Sequence, residues 1–199
     1  MTSRVVLASA SRGRAAILRQ MGLEPQIMAV DIDEGYLAGE TPEEHVERLA
    51  RSKAQAVALI EPDALVVAGD TVVVDGRRVL GKPRSLDEAV SMIVALSGKR
   101  HLVFSGLAVT GAHGTVSGVG RASVRFRTFD RATARRYAET GEPEGKAGAY
   151  GIQGLGASLV DSVDGDYYGV VGLPVSVFVR LLEQAGWRYD FGTLTRLPV

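Results

Sequence analysis

The chain has 199 residues, enough for one domain or one two-lobed unit with a substantial buried core. Its 23 Lys and Arg balance its 23 Asp and Glu, so the formal net charge is zero, and a neutral chain is a poor candidate for non-specific nucleic-acid binding, which depends on clustered positive charge. It has no cysteine, which excludes disulfides and thiolate metal sites, and its three histidines (His45, His101, His113) show no zinc-ligand spacing.

The opening MTSRVVLASASRGR has too short an apolar stretch for a signal peptide, and no run approaches the ~20 apolar residues of a membrane span, so a cytoplasmic protein is expected. Residues 3–8 predict a short buried strand, and Ser11 is a good helix N-cap. Ile17, Leu18 and Met21 recur on one face of a helix over 12–21 that stops at Gly22. A second strand is predicted over 25–30, followed by the acidic loop DIDEGYLAGE. Thr41, Pro42 and Glu44 then form a capping-box start to a helix running to about Ile60.

Residues 64–74 form a long apolar strand interrupted by one carboxylate, Asp70. Asp75-Gly76 predicts a two-residue hairpin turn, with Arg77–Leu80 returning. The stretch GRRVLGKP, 76–83, is one residue short of a phosphate-binding P-loop: Gly76, Gly81 and Lys82 fit, but Pro83 stands where Ser or Thr would hold magnesium. A P-loop must follow a strand and open a helix, whereas this segment starts in a turn and contains a strand, and Pro83 restricts Lys82 to extended conformations. Ser85 caps a helix over 86–97 that closes at Gly98, and 101–111 and 115–127 alternate as two strands joined at Gly114. The basic residues from Arg121 to Arg136 alternate with apolar ones and read as solvated strand and helix faces. Asp130 caps a short helix to Thr140, the glycine-rich stretch 141–156 has no periodicity, and a last helix spans about 174–185. The tail from Trp187 has no clear pattern. Interleaved strands and helices make the class α/β, with no linker separating independent domains.

Several residues invite chemistry. Asp is disfavoured in strands and costly to bury unpaired, so Asp70 is either a hydrogen-bonded structural carboxylate or a catalytic or metal-binding one, and Gly69 before it leaves room for close approach. Asp31, Asp33 and Glu34 are a second set of oxygen donors of the kind magnesium prefers. Ser9 and Ser11 lie at a strand-to-helix junction beside Arg12 and Arg14, where backbone N–H groups, the helix dipole and guanidinium forks favour an anion. Lys53 and Lys82 read locally as either surface lysines or phosphate ligands. Together the hydroxyls, cations and carboxylates suggest a polyphosphate bound with a divalent metal.

Seven blocks, in order, resemble the Maf family of nucleoside triphosphate pyrophosphatases: LASASRGR (7–14), RLARSKA (48–54), AGDTVV (68–73), LGKP (80–83), LSGKRH (96–101), GKAGAYGIQG (145–154) and VVGLP (170–174). The resemblance covers nearly the whole chain. It implies a single Maf-like domain over 1–199: an elongated mixed sheet with flanking helices and two lobes around a cleft, related to the inosine triphosphatases. It also implies hydrolysis of a nucleoside triphosphate to the monophosphate and pyrophosphate with Mg²⁺ or Mn²⁺, and a homodimer. On this resemblance Asp70 is the proton acceptor, and Lys53, Lys82, Ser9, Arg14 and Glu34 line the phosphate and metal region. Thr71, Gln153 and Gly13 match positions tied to base choice; GIQG is similar to the dTTP/UTP branch. Here Arg12 and Gly13 replace the family's usual proline and arginine. Two other readings stay open: a 7-methyl-GTP pyrophosphatase of the same family, which Gly13 admits, and a non-enzymatic nucleotide-binding regulator of cell division.

Overall fold

The structure is a computed structural model that describes residues 4–111 and 113–198. In chain order its elements are β1 (Val5–Leu7), α1 (Arg12–Gln20), β2 (Gln26–Ile27), α2 (Pro42–Ile60), β3 (Leu65–Asp75), β4 (Arg78–Leu80), α3 (Leu86–Leu96), β5 (Arg100–Gly111), β6 (Gly114–Phe126), α4 (Arg131–Ala138), β7 (Val160–Gly165), α5 (Tyr167–Val171), α6 (Val175–Gln184), β8 (Trp187–Tyr189) and β9 (Leu194–Arg196). A seven-stranded mixed sheet runs β2-β1-β3-β5-β6-β7, with β4 also paired to β3; β8 and β9 form a separate pair. The β1–β2 and β1–β3 pairs are parallel, and β3–β4 and β6–β7 are antiparallel. No helix among the described residues is long and apolar enough to cross a membrane.

The chain packs as two compact units. The first takes the residues up to Asp70, Ser105–Gly120, and those from Gly172 on; the second takes Thr71–Phe104 and Arg121–Val171. In the first unit α2 starts at Thr41, whose hydroxyl accepts from the Glu44 N–H while Glu44 reaches back to the Thr41 N–H. Small residues then let α2 lie close to the sheet: Ala50, Ala54 and Val57 meet Ala8, Ala68 and Ala108. The closest point is Gly106 in β5, where a Cβ would stand 2.1 Å from the Val46 carbonyl oxygen, so only glycine fits. In the second unit the core is larger-grained. Leu80, Ile93, Leu96, Phe126, Tyr150 and Leu159 pack together, with His101 and Tyr150 each set edge-on to Phe126.

Four sequence expectations shift. The second strand shrinks to Gln26–Ile27, because three-residue β1 offers it a ladder at only Val6 and Leu7. The hairpin loop is Gly76-Arg77 rather than Asp75-Gly76: Asp75 stays in the ladder opposite Arg78, and Gly76 takes the positive φ of 60°. The glycine-rich stretch contains two short 3₁₀ turns, Ala147–Ala149 and Leu155–Leu159. β7 and α5 follow where no element was expected, and the patternless tail forms the β8–β9 pair.

Candidate active site

The position of Lys53 follows from helix periodicity. His45, Leu49, Lys53 and Val57 are spaced by four residues and all lie on the buried stripe of α2. Lys53 is therefore 8% exposed, and an ammonium there needs counter-charges. It has two: Asp70 Oδ1 at 2.8 Å and Glu34 Oε1 at 2.5 Å. Asp70 is carried by β3, between Gly69 and Thr71 in an otherwise apolar run. Glu34 comes from the acidic loop after β2, with its side chain about half exposed (47%).

Arg14 is the second buried cation, 8% exposed in the first turn of α1. Its Nε donates to the Gly172 carbonyl at 2.8 Å and its Nη1 to Ser9 Oγ at 2.9 Å. Ser9 Oγ also accepts the Ser11 N–H, and Ser11 caps α1 by accepting the Arg14 N–H. The strand-to-helix junction is thus knitted around Arg14. Burial pulls the Arg14 pKa below its ordinary value, while Asp70 and Glu34 push it back up. Gly69 makes the room: a Cβ there would stand 2.9 Å from Arg14 Nε and 3.0 Å from the Gly106 carbonyl oxygen. The close approach expected at Gly69 is made by the chain's own guanidinium.

A layer of residues that sequence reasoning passed over holds the acidic loop. Arg48 Nη2 donates to the Gly35 carbonyl at 2.8 Å, next to Glu34, and the same guanidinium forks onto Glu40 at 2.6 and 2.9 Å. His45 Nδ1 lies 3.0 Å from Glu40, and the His45 ring is stacked on Tyr36 at 3.5 Å and 3°. Hydrogen bonds from Arg48 first, and then from Leu37 and His45, overcome desolvation and hold the Glu40 carboxyl far below the usual range. The signal was present: Arg48 and Lys53 share one block, RLARSKA, five residues apart.

The first unit thus brings together Ser9, Ser11, Arg14, Glu34, Lys53 and Asp70. Arg12 is exposed and Gly13 half-buried at the start of α1. Asp31 and Asp33 are exposed, and Asp33 Oδ1 accepts the Gly35 N–H at 2.8 Å, shaping the loop. Thr71, Lys82 and Gln153 belong to the second unit; Thr71 is half-buried, and Lys82 and Gln153 are exposed. Lys82 follows β4, and the next helix opens only at Leu86 behind the Ser85 cap, so no helix N-terminus meets this lysine as a P-loop requires.

A family model described as Maf-like protein matches residues 4–185. The chain belongs to the Maf family. It is 47% identical over 188 residues to the dTTP/UTP pyrophosphatase of Myxococcus xanthus, covering 92% of this chain and 95% of that one. It is 43% identical over 183 residues to the dTTP/UTP pyrophosphatase of Symbiobacterium thermophilum, covering 92% and 94%. Among solved structures, the Staphylococcus aureus Ham1 protein aligns at a TM-score of 0.43 with 16% identity, over 62% of this chain and 72% of that one. In this Maf chain the RLARSKA, AGDTVV and LASASRGR blocks, far apart in sequence, supply Lys53, Asp70 and Arg14 to one cluster.

Proposed function

We propose that this Maf-family chain is a nucleoside triphosphate pyrophosphatase that splits the α–β phosphoanhydride of dTTP and UTP, giving the monophosphate and pyrophosphate. The observation that carries the reading is Lys53, a buried ammonium held between Asp70 and Glu34, in one cluster with buried Arg14. The names and identities of its relatives support the substrate class.

The substrate carries about four negative charges, which repel a nucleophile. Lys53 and Arg14 neutralise part of that charge. Asp70 accepts a proton from the attacking water as its oxygen bonds to the α-phosphorus, and the bond to the bridging oxygen breaks with pyrophosphate leaving. Lys53 and Arg14 meet the charge that develops on the phosphoryl oxygens.

Asp70 and Glu34 are the proposed holders of a divalent cation, Mg²⁺ or Mn²⁺. Magnesium is commonly bound by one or two carboxylates plus substrate phosphates. A pair of carboxylates that already shares one cation, the Lys53 ammonium, fits that donor set. When bound, the cation supplies Lewis-acid neutralisation of the phosphate charge.

The test is pyrophosphate release with Mg²⁺ from dTTP, UTP, CTP, dATP, GTP and 7-methyl-GTP, with Asp70→Asn as control. Preference for dTTP and UTP, lost in the control, is the expected result. Preference for 7-methyl-GTP would overturn the substrate assignment, and release no faster than the control on every substrate would overturn the reaction.

A further inference from the structure

The loop Gly151–Gly156 carries Gln153, which the Maf resemblance ties to base choice, and has glycine at 151, 154 and 156. The structure shows what those glycines face. A Cβ at Gly154 would stand 2.2 Å from Glu142 Oε2, one at Gly156 2.6 Å from Tyr137 Oη, and one at Gly151 3.1 Å from Glu142 Oε1. Glu142 and Tyr137 thus fill the space beside Gly154 and Gly156, and Lys146 Cε, at 2.9 Å, shares the space beside Gly151 with Glu142.

The hydrogen bonds close without a mismatch. Glu142 Oε2 accepts the Leu155 N–H at 2.7 Å, and Oε1 accepts the Gly156 N–H at 2.9 Å and the Tyr137 O–H at 2.9 Å. Tyr137 Oη in turn accepts the Gly151 N–H at 3.0 Å. Burial raises the Tyr137 pKa, so the phenol keeps the proton it donates. Burial would raise Glu142 too, but the N–H groups of Gly156 and Leu155, with Tyr137, hold the carboxyl below its ordinary value. Lys146 Nζ donates to the Glu142 carbonyl and ties the clamp to its own turn. Next to Gln153, Ile152 is buried in the core at 7% exposure and Gly154 lies against Glu142, while Gln153 itself stays exposed. Both flanks of the glutamine are fixed and its amide is presented outward.

We infer that Glu142 and Tyr137 are positioning residues for substrate choice: they hold the loop that presents Gln153 and so set base discrimination rather than the rate of phosphoanhydride cleavage. The inference rests on the proposed function, with Gln153 taken as the base reader that the Maf resemblance implies. The carboxylate is required at 142. Both of its oxygens face donors, so either orientation of a Gln amide sets N–H against N–H.

The experiment compares wild type with Tyr137→Phe, Glu142→Gln, Gln153→Ala and Tyr137→Phe/Gln153→Ala. Each is assayed for kcat and KM on dTTP and CTP, and for equilibrium binding of dTMP and CMP by calorimetry. Tyr137→Phe and Glu142→Gln each raise KM for dTTP about tenfold with kcat within about twofold, and shrink the dTMP-over-CMP binding preference to match. In the Gln153→Ala background Tyr137→Phe adds nothing further, as for two residues acting through one contact. Additive losses, a loss confined to kcat, or an unchanged preference in Tyr137→Phe would overturn the inference. The two failures are distinct. Absence of any hydrolysis overturns the proposed reaction while the binding preference still judges the clamp, whereas hydrolysis with a clamp-independent preference overturns the clamp alone. A Gln153→Ala variant with full preference overturns both the base reader and its positioning.

Discussion

The two units hold their functional groups by different physics. In the first, Ser9, Arg14, Glu34, Lys53 and Asp70 come from four separate stretches of chain and are held largely by charge on charge, with two cations almost fully buried. In the second, Tyr137, Glu142 and the loop at 151–156 lie within twenty residues and are held by a carboxylate on backbone amides. A buried charge that loses its partner is costly, so the first arrangement tolerates no single removal. The second is a set of ordinary hydrogen bonds, each worth about 1 kcal/mol, or somewhat more where the carboxylate accepts. On the proposed function and the inference from it, rate belongs to the first unit and discrimination to the second.

The largest effect is expected at Asp70. Asp70→Asn keeps the shape of the side chain and removes the proton acceptor, so kcat for pyrophosphate release falls about a thousandfold, some 4 kcal/mol in the barrier. A fall of less than tenfold would remove the acid–base role from the first unit and with it half of the comparison. Next is Lys53→Met, which keeps length and burial but leaves Asp70 and Glu34 without their shared ammonium. Turnover should fall about a hundredfold. Added Mg²⁺ should raise the melting temperature of the variant more than that of wild type, because the vacated space lies between two carboxylates. Equal shifts would argue that these carboxylates are not the cation site.

How much of this was legible in the sequence follows the same division. Lys53 was legible only as either a surface lysine or a phosphate ligand, and the buried stripe of His45, Leu49, Lys53 and Val57 emerged with the structure. Asp70 stood out as a lone carboxylate in an apolar strand, and the Ser11, Thr41, Ser85 and Asp130 caps were read from local patterns that the backbone realises. Glu142 was not legible. It binds amides thirteen and fourteen residues away across irregular backbone, where no period links donor to acceptor. The glycine-rich stretch was read only as lacking periodicity, whereas the space that each glycine around Gln153 would fill with a Cβ belongs to Glu142, Tyr137 and Lys146. β7 was hidden for another reason. It is an edge strand with four of its six residues exposed, so burial enforces no alternation, and Asp161, Asp164 and Gly165 argue against a strand on composition.

The two buried histidines extend the contrast to pH. His45 in the first unit lies against the Glu40 carboxylate, whereas His101 in the second has, among the described residues, the Tyr150 hydroxyl as its hydrogen-bond partner, with Nε2 at 2.9 Å. Burial pushes the His101 pKa down from 6.5 to about 4. Above pH 6.5 this imidazole is neutral folded or unfolded and its contribution to stability is fully present. Below that the unfolded chain takes up a proton that the folded chain refuses until about pH 4, so stability is lost as the pH falls through this window. Denaturant unfolding should show about 2 kcal/mol lost from this group between neutral pH and about pH 5, before most carboxylates titrate. His101→Gln, which keeps a polar partner for Tyr150 but cannot titrate there, should flatten the slope. A slope unchanged in the variant would mean that the acid sensitivity lies elsewhere.

The smallest effects come from two glycine-to-alanine changes, and they separate the units most cleanly. At Gly69 the added Cβ meets Arg14 Nε at 2.9 Å and a backbone oxygen at 3.0 Å, so Arg14 must move off Ser9. At Gly154 it meets Glu142 Oε2 at 2.2 Å, so the carboxylate must swing off the Leu155 amide. Neither residue has a positive φ, so the cost in each case is contact rather than backbone strain. Both changes should cost about tenfold in kcat/KM for dTTP, but through different constants. Gly69→Ala should act on kcat, with the dTTP-to-CTP ratio intact. Gly154→Ala should act on KM and erode that ratio. If both variants lowered kcat and spared the ratio, the loop at 151–156 would be part of the charge machinery, and the division between rate and discrimination would not hold.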